Sequence, residues 1–600
     1  MEQHTDKEFE AKDTLLPFLK RLFGMAIKNH PKLFSVLAIG VLITALADAL
    51  LPKLWQILLR DLVLPQIELY EKTYAAGGIY TPNIQDFMPY IFMYVIWIAS
   101  ITFSVWLFIL GAQQLQERLM YDLRKQMFQK LQYLSFSFYD TNALGWLVSR
   151  ITSDTNRVTE IISWGFVSVV WGSSMIIFSF FVMLDMNVKL TFYVMATVPL
   201  LAFVSIKIRL LILKYSRKAR KQGSENIAYF IENINGIEVN KSTIQEEKAT
   251  QVFNDKTEKQ RKFSFNSSFY TAMFIPMVIV AGSFAAVLVI WQGGTMAIST
   301  KVAFSISTLA AFFIASRSIF EPIFDISRFY AMAQDSLAAG ERIFSLIDEK
   351  LDVKDNNKLA FEKLKGAIEF KNVDFYYKKE KSILSNFSLK IKEGESVALV
   401  GPTGHGKTTL TSLINRFYEP VNGKILIDGI NYQERTLHSL RKQMGVILQS
   451  PHLFSGTVKE NIIFGLKNVG EKKVIATLKE IGAENLLDKI NMEVGEEGSN
   501  LSNGERQLVS FARAVIKDPA ILIMDEATSS IDTLTEAKIQ KGINKIIKGR
   551  TSIIVAHRLS TIKQCDKIVV IENGSIKEMG SHKELMALKG HYYNLYLGQK

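Results

Sequence analysis

The chain has 600 residues, too many for one compact core, so we expect two or more domains. Hydrophobic residues make up 48% of it, which suggests an apolar membrane part joined to a soluble part. The formal net charge of +13 suits nucleic acid, anionic lipid or the cytoplasmic loops of a membrane protein.

The positions of the basic residues decide between these three readings. They gather at 207–221 and 256–262, between apolar stretches, where cytoplasmic loops are expected. Nucleic acid is therefore not expected as a partner. The single cysteine, Cys565, excludes an intramolecular disulfide framework and a cysteine-based zinc cluster.

The N-terminal segment, residues 1–32, precedes the apolar part of the chain. Residues 1–13 are polar and lack the basic and apolar regions of a cleavable signal peptide. Residues 15–27 mix Leu and Phe with Lys20 and Arg21. This pattern suits an interfacial amphipathic helix, and equally an extension of the first membrane span.

Six stretches approach the roughly 20 apolar residues that a helix needs to cross a bilayer. All lie before residue 321: 33–51, 87–110, 166–184, 190–206, 269–291 and 302–320. The links after the second and fourth stretches are long and basic, whereas those after the third and fifth are very short. We therefore expect a multi-pass protein of the cell inner (cytoplasmic) membrane, with both termini and the soluble C-terminal part of the chain in the cytoplasm.

Few ionisable residues lie within these stretches. Asp48 lies in the first, and Arg317 and Glu321 lie at the end of the sixth. Because burying a charge in a membrane is costly, each is a candidate functional residue. Asp48 is near Pro52 and Lys53, which equally suits a hydrated structural role, and Arg317 can pair with Glu321 on one helix face.

The remainder of the chain has the pattern of a soluble α/β domain. Residues 326–365 read as a helical extension and a polar linker, after which β-rich runs alternate with helical ones. The predicted fold is an all-α six-helix transmembrane domain at 33–325, followed by an α/β domain at 366–600. The motif G-x-x-x-x-G-K-T at 401–408 indicates that this second domain is a P-loop NTPase domain.

A phosphate-binding loop, G-x-x-x-x-G-K-T, directly follows the apolar strand 396–400. Its glycines let backbone N–H groups surround phosphates, Lys407 neutralises β/γ-phosphate charge, and Thr408 offers a hydroxyl to Mg²⁺. His405 stands where a small residue is more usual, and we assign it no catalytic role. The predicted nucleotide-binding residues of this segment are Gly401, Thr403, Gly404, His405, Gly406, Lys407, Thr408 and Thr409.

A second apolar strand, 521–524, ends in Asp525 and Glu526. Carboxylates at the C-terminal end of a parallel strand lie where α/β sheets bind ligands. Asp525 suits Mg²⁺ through water, and Glu526 suits polarisation of the attacking water. Such an acidic pair is also common at helix N-termini, so this assignment depends on the neighbouring motifs.

Between these motifs lies the sequence LSNGERQ, residues 501–507. It resembles the signature motif of the ATP-binding cassette (ABC) family, and the resemblance covers nearly the whole chain. In that family the motif begins a helix and caps the γ-phosphate bound by the opposite subunit. The resemblance implies that Ser502, Asn503, Gly504 and Glu505 contact nucleotide in trans.

Other family elements follow in the expected order. Tyr377 resembles the aromatic residue that stacks on adenine, and Gln449 resembles the glutamine that contacts Mg²⁺ and links nucleotide state to the membrane domain. Asp532 falls in a segment that resembles the D-loop, and His557 resembles the switch histidine. The resemblance implies ATP and Mg²⁺ as cofactors. It assigns catalysis to Glu526, His557 and Gln449, and the metal to Thr408, Gln449 and Asp525.

The membrane half resembles the exporter branch of the family, in which six spans precede one cassette. Residues 138–154 resemble the segment before the first coupling helix, and residues 228–237 resemble the second. One cassette cannot complete its own site and six spans give half a pathway. The resemblance therefore implies pairing with a second ABC half-transporter.

The signature departs from its usual form, LSGGQ, at Asn503 and Glu505. A carboxylate near a triphosphate weakens binding or closure unless it points away. In heterodimeric relatives, one chain often keeps the catalytic glutamate and carries an altered signature. We therefore favour a heterodimer over a homodimer.

The resemblance favours export of amphipathic drugs or lipids, with membrane lipid and a hydrophobic small molecule as partners. A peptide or siderophore transporter of the same architecture is the alternative, and it would need a more polar cavity. A non-transporting ATP-gated membrane regulator is a third reading, but such a protein would tolerate loss of Glu526, which this chain keeps.

Overall fold

The structure is a computed structural model. It describes residues 15–299, 306–353, 355, 359–378, 381–525, 542–543, 545–547, 549–555 and 559–598. Two compact units are present, one comprising the chain up to Lys130 together with Gly145–Asp348, the other comprising Leu131–Leu144 and the chain from Glu349 onward. The two units are defined by which residues pack together. The predicted domain limits at 325 and 365 stay a prediction.

The described residues of the range 15–348, that is 15–299 and 306–348, are helical wherever the chain is regular. Three helices, Ile84–Tyr133, Val188–Asn235 and Glu246–Ser299, have 50, 48 and 54 residues. At 1.5 Å per residue each is about 70–80 Å long, more than twice the roughly 30 Å core of a bilayer. Each helix is therefore longer than a span needs, and the cytoplasmic position of the extra length stays a prediction.

The remaining α-helices of this half are Leu15–Asn29, Pro31–Leu58, Leu64–Ala75, Phe136–Thr141, Leu144–Ser149, Thr155–Glu160, Phe166–Met186, Ile237–Ser242, Ile306–Ser318 and Glu321–Asp348. Short π-helical turns occupy Leu59–Val63, Arg150–Asp154 and Ile161–Gly165.

Five described segments are long and apolar enough to cross a membrane. They are Pro31–Ala75, Ile84–Tyr133, Leu144–Met186, Glu246–Met296 and Ile306–Ile323. A shorter apolar helix, Val188–Pro199, overlaps the predicted fourth span, 190–206. The predicted sixth span, 302–320, begins among residues outside the described ranges. The predicted helical transmembrane fold is confirmed.

The helix Leu15–Asn29 ends before the next helix begins at Pro31. Its Arg21 makes a 2.6 Å salt bridge to Asp348 and lies 3.9 Å from the centre of the Phe344 ring. The helix therefore packs against the helix Glu321–Asp348, and its predicted interfacial position stays a prediction. In the same unit Asp48 accepts a 3.0 Å hydrogen bond from the indole N–H of Trp171.

A buried ion network joins the π-helical turn Arg150–Asp154 to the helix Glu321–Asp348. Asp154 is 1% exposed and accepts a 2.7 Å hydrogen bond from Arg150. Arg342 donates to both carboxylate oxygens of Asp154, at 2.9 and 2.7 Å. Two guanidinium groups thus share one buried carboxylate.

The second unit contains two main sheets. The six-stranded sheet has the order Ser575–Gly580, Lys567–Glu572, Ser396–Val400, Thr551–Val555, Ile521–Asp525, Met444–Ile447. The four-stranded sheet has the order Leu384–Ile391, Ile368–Phe375, Asn422–Ile427, Ile430–Asn431, and a small ribbon pairs Gly456–Thr457 with Glu493–Val494. The central strands Ser396–Val400 and Thr551–Val555 are buried along their whole length, as parallel strands covered on both faces must be.

Among the residues that the structure describes after 366, the α-helices include Lys407–Ile414, Leu437–Arg441, Val458–Ile462, Glu471–Glu480, Asn503–Val515, Leu559–Ile562, His582–Leu588 and His591–Gly598. Short 3₁₀ turns occupy Tyr432–Glu434, Glu484–Lys489 and Glu496–Gly498. The predicted α/β domain after a helical transmembrane domain is thus confirmed.

We predict that Asp154→Asn destabilises the helical unit by about 3 kcal/mol, because it removes the buried negative charge that two guanidinium groups share. Unfolding of the purified protein in detergent measures this. The control, Glu258→Gln, removes a carboxylate that pairs with Arg261 on the exposed surface, and it should change the unfolding midpoint little. Equal shifts in the two variants would contradict the stabilising role of the network.

Candidate nucleotide-binding site

The strand register brings several predicted site residues to one edge of the six-stranded sheet. Val555 pairs in parallel with Leu399 on one side and with Asp525 on the other, and Ile447 pairs with Met524. The carboxyl ends of these four strands therefore lie together, where α/β sheets bind ligands.

This shared edge carries the phosphate-binding loop, Asp525 and the Gln449 segment. The loop follows the strand Ser396–Val400, Asp525 ends its own strand, and Gln449 lies two residues beyond Ile447. The predicted catalytic residues Glu526 and His557, and the D-loop residue Asp532, lie outside the described residues.

The phosphate-binding loop depends on glycine conformations. Gly401, Gly404 and Gly406 have φ values of 147°, 83° and 103°, which side chains disfavour. A Cβ atom on Gly401 would lie 2.1 Å from the carbonyl oxygen of Ile571, so the loop passes directly against the neighbouring strand. At Gly404 a Cβ would meet nothing within 4 Å, which leaves open space on that side of the loop.

Lys407 begins the helix that follows the loop. Its ammonium donates to the carbonyl oxygens of Gly401 and Pro402, at 2.7 and 2.8 Å, so it lies within the curve of the loop. Thr408, next in the chain, is exposed, as a hydroxyl that reaches a metal ion must be. A cation, a hydroxyl and a glycine loop at a helix N-terminus are the groups that bind a polyphosphate.

His405 stands where a small residue is more usual, and a side chain there could simply point to solvent. In the structure it makes a hydrogen bond instead. Its Nδ1 accepts a 3.0 Å hydrogen bond from the backbone N–H of Asn573. This contact ties the loop to the turn after the strand Lys567–Glu572. The histidine therefore has a positioning contact within the loop, and the structure gives no reason to assign it chemistry.

Tyr377 lies beside the start of the loop helix. Its hydroxyl is 3.2 Å from the Thr409 hydroxyl, and its ring is half-exposed. The ring meets Tyr418 edge-on, with centroids 5.1 Å apart, and Phe375 edge-on at 4.9 Å. These contacts fix the ring's orientation, and stacking of Tyr377 on a base stays a prediction.

The segment Phe136–Thr141 belongs to the same compact unit and reaches this aromatic cluster. Asp140 accepts a hydrogen bond from the Tyr418 hydroxyl, and Phe136 packs on Phe417 with ring centroids 4.4 Å apart. Burial and the Asp140 carboxylate raise the pKa of Tyr418 above its usual value. Sequence reasoning missed Tyr418, and nothing local in the sequence links it to a residue 278 positions away.

The signature segment begins the helix Asn503–Val515. Ser502 is its N-cap, and the Ser502 hydroxyl accepts from the Glu505 N–H at 3.2 Å while Glu505 accepts from the Ser502 N–H at 3.0 Å. Arg506 donates to the carbonyls of Gly498 and Leu501 and to the Asn503 side chain, which fixes the turn before the helix. The first N–H groups of such a helix lack intrahelical acceptors and suit an anion.

Comparison with known proteins agrees with this geometry. Residues 35–320 match the family model "ABC transporter transmembrane region", and residues 384–529 match the model "ABC transporter". The chain is 36% identical over 491 residues to the uncharacterized ABC transporter ATP-binding protein YknV of Bacillus subtilis, covering 81% of each chain.

Two further relatives carry functional names. The probable multidrug resistance ABC transporter ATP-binding/permease protein YheH of Bacillus subtilis is 36% identical over 498 residues, covering 81% of this chain and 73% of that protein. The ATP-dependent lipid A-core flippase of Desulfotalea psychrophila is 31% identical over 583 residues, covering 96% of this chain and 98% of that protein.

Apolar helices joined to a phosphate-binding α/β domain define a membrane protein that binds ATP and couples its hydrolysis to transport. The chain belongs to the ABC transporter family, as an exporter-type half-transporter with both modules in one polypeptide.

We predict that Gly401→Ala lowers ATP affinity at least tenfold, because the added methyl group must displace the loop from the Ile571 carbonyl. Binding of a fluorescent ATP analogue to the purified transporter measures this. The control is Gly470→Ala, since a Cβ there meets nothing within 4 Å. Normal ATP affinity in Gly401→Ala would contradict the close approach of the loop.

We predict that Asp140→Ala lowers the amount of substrate moved per ATP hydrolysed, because it removes the hydrogen bond between the segment Phe136–Thr141 and Tyr418. Paired transport and ATPase assays in the same vesicles measure this ratio. The control is Asp374→Ala, which removes a partly buried carboxylate of the four-stranded sheet whose hydrogen bonds go to Asn386 and Asn422 and not to Tyr418. A ratio equal to that of wild type would show that this contact does not contribute to coupling.

Proposed function

We propose that this chain exports amphipathic drugs or lipids across the cytoplasmic membrane, driven by ATP, as one subunit of a dimeric transporter. The observation that carries the proposal is the shared sheet edge on which the phosphate loop and Asp525 converge, in a chain whose apolar helices can span a bilayer. The names of YheH and the lipid A-core flippase support this class of cargo.

The ATP site uses the residues predicted from sequence. Gly401 to Thr409 bind the phosphates, and Tyr377 stacks on the base. Thr408, Gln449 and Asp525 provide oxygen ligands, the donors that Mg²⁺ prefers, and bound Mg²⁺ would neutralise phosphate charge. Glu526 polarises the attacking water and His557 contacts the γ-phosphate. The ATPase domain and both termini then lie in the cytoplasm.

A heterodimer is the assembly we favour. In it Lys407, Asp525 and Glu526 work with the signature of the partner, while Ser502 to Glu505 cap a slower site carried by the partner. The altered signature supports this arrangement, because a carboxylate at Glu505 distinguishes this half from one with the usual motif. The competing assembly is a homodimer.

The test is ATPase activity of the purified chain in lipid, alone and mixed with a candidate half-transporter, for wild type and Glu526→Gln. We expect turnover only in the mixture, stimulated by hydrophobic cations and abolished by Glu526→Gln. Robust Glu526-dependent turnover by the chain alone would show a homodimer. Absence of ATPase activity in both preparations would contradict ATP-driven export.

A further inference from the structure

The carboxylate of Glu505 is turned back onto the start of its own helix. One carboxylate oxygen accepts the Ser502 N–H at 3.0 Å, and the Ser502 hydroxyl accepts the Glu505 N–H at 3.2 Å. This reciprocal pair of hydrogen bonds is a capping box. It uses the N–H groups of Ser502 and Glu505, whereas the N–H groups of Asn503 and Gly504, in the first turn, have no acceptor within the helix and can bind an anion. The side chain that departs from the family motif therefore has a defined position.

A lysine holds the other oxygen of this carboxylate. The Lys489 ammonium lies 2.6 Å from Glu505 Oε1, and the Glu505 side chain is only 15% exposed. The backbone around Lys489 is held in place, because Leu486, three residues before it, and Ile490, directly after it, are buried in the domain core. The Lys489 carbonyl oxygen accepts a 2.9 Å hydrogen bond from the Met492 N–H. A packed segment thus presents the cation.

The pair determines the charge at the start of the signature helix. Burial acts to raise the pKa of Glu505, but the hydrogen bonds from Lys489 and Ser502 outweigh it and hold that pKa below its usual range. The carboxylate therefore stays ionised, and an unpaired anion here would repel a phosphate that binds the same helix N-terminus. With the ammonium beside it, the pair has no net charge.

We propose that Lys489 is a positioning residue for the ATP-dependent reaction. It neutralises Glu505 and holds it against the Ser502 N–H, so that the first turn of the signature helix can still receive the γ-phosphate of ATP bound by the paired subunit. Lys489 compensates within this chain for the glutamate that replaces the usual glutamine. This role rests on the proposed function, since it requires the signature to face nucleotide in a dimer.

The opposing explanation is that Lys489 only stabilises the fold of this region. A stabilising lysine would lower the unfolding midpoint when removed, and it would do so whether or not residue 505 carries a charge. A compensating lysine is needed only while residue 505 is a carboxylate. Glu505→Gln separates the two, because glutamine can still complete a capping box without a charge.

The experiment measures the half-saturating ATP concentration for turnover by the assembled transporter in lipid, at low and high salt, together with the unfolding midpoint. We expect Lys489→Met to raise that concentration about tenfold at low salt and less at high salt. Lys489→Arg should behave as wild type. Lys489→Met combined with Glu505→Gln should lie within about twofold of Glu505→Gln alone, which is the sign of coupling between the two residues.

Two controls keep the result interpretable. Lys371→Met removes the lysine of another lysine–glutamate pair, with Glu369 in the four-stranded sheet, and should change nothing. Lys407→Ala should abolish turnover, and persistent turnover would contradict the proposed ATP site and with it this role.

An unchanged ATP requirement in Lys489→Met would overturn the proposal while leaving the proposed function intact. The same defect with and without the charge at residue 505, or a defect that only parallels a lower unfolding midpoint, would overturn it in favour of the structural explanation.

Discussion

The parallel pairing of three buried strands is the constraint on which the nucleotide site depends. Because Val555 is paired with both Leu399 and Asp525, the phosphate loop and the acidic strand end must emerge at the same edge. A shift of one residue in the pairing of Ile521–Asp525 with Thr551–Val555 would turn the Asp525 side chain to the opposite face of the sheet. Apolar burial along these strands fixes the register, and so the core positions residues that themselves contribute little to stability.

The sequence was sufficient wherever chemistry and spacing are local. The loop from Gly401 to Thr408 is recognisable because its glycines, lysine and threonine follow a strand within eight residues, and the structure gives those glycines the φ values that the motif requires. The helical fold of the first half was predictable because span length follows from bilayer thickness. Ser502 as an N-cap is likewise a local property of the signature.

Contacts between distant residues could not be predicted in this way. Tyr418 and Asp140 are 278 positions apart, and Lys489 is 16 positions from Glu505 across an irregular segment, so no periodicity relates either pair. The position of His405 similarly depends on the backbone of a turn 168 residues away. Tertiary packing decides these contacts, and one sequence without the fold contains no spacing rule for them.

The same distinction changes how the substitution in the signature should be understood. From the sequence, Glu505 is an added negative charge near a phosphate site. In the structure it is half of a lysine–glutamate pair that also completes a capping box, so the charge of the group at the helix start is zero. An altered motif therefore need not mean a weakened one. The effect of the altered motif on nucleotide binding depends on the residues that the fold places around it. Asn503, the second altered residue, accepts a hydrogen bond from Arg506 at the start of the same helix.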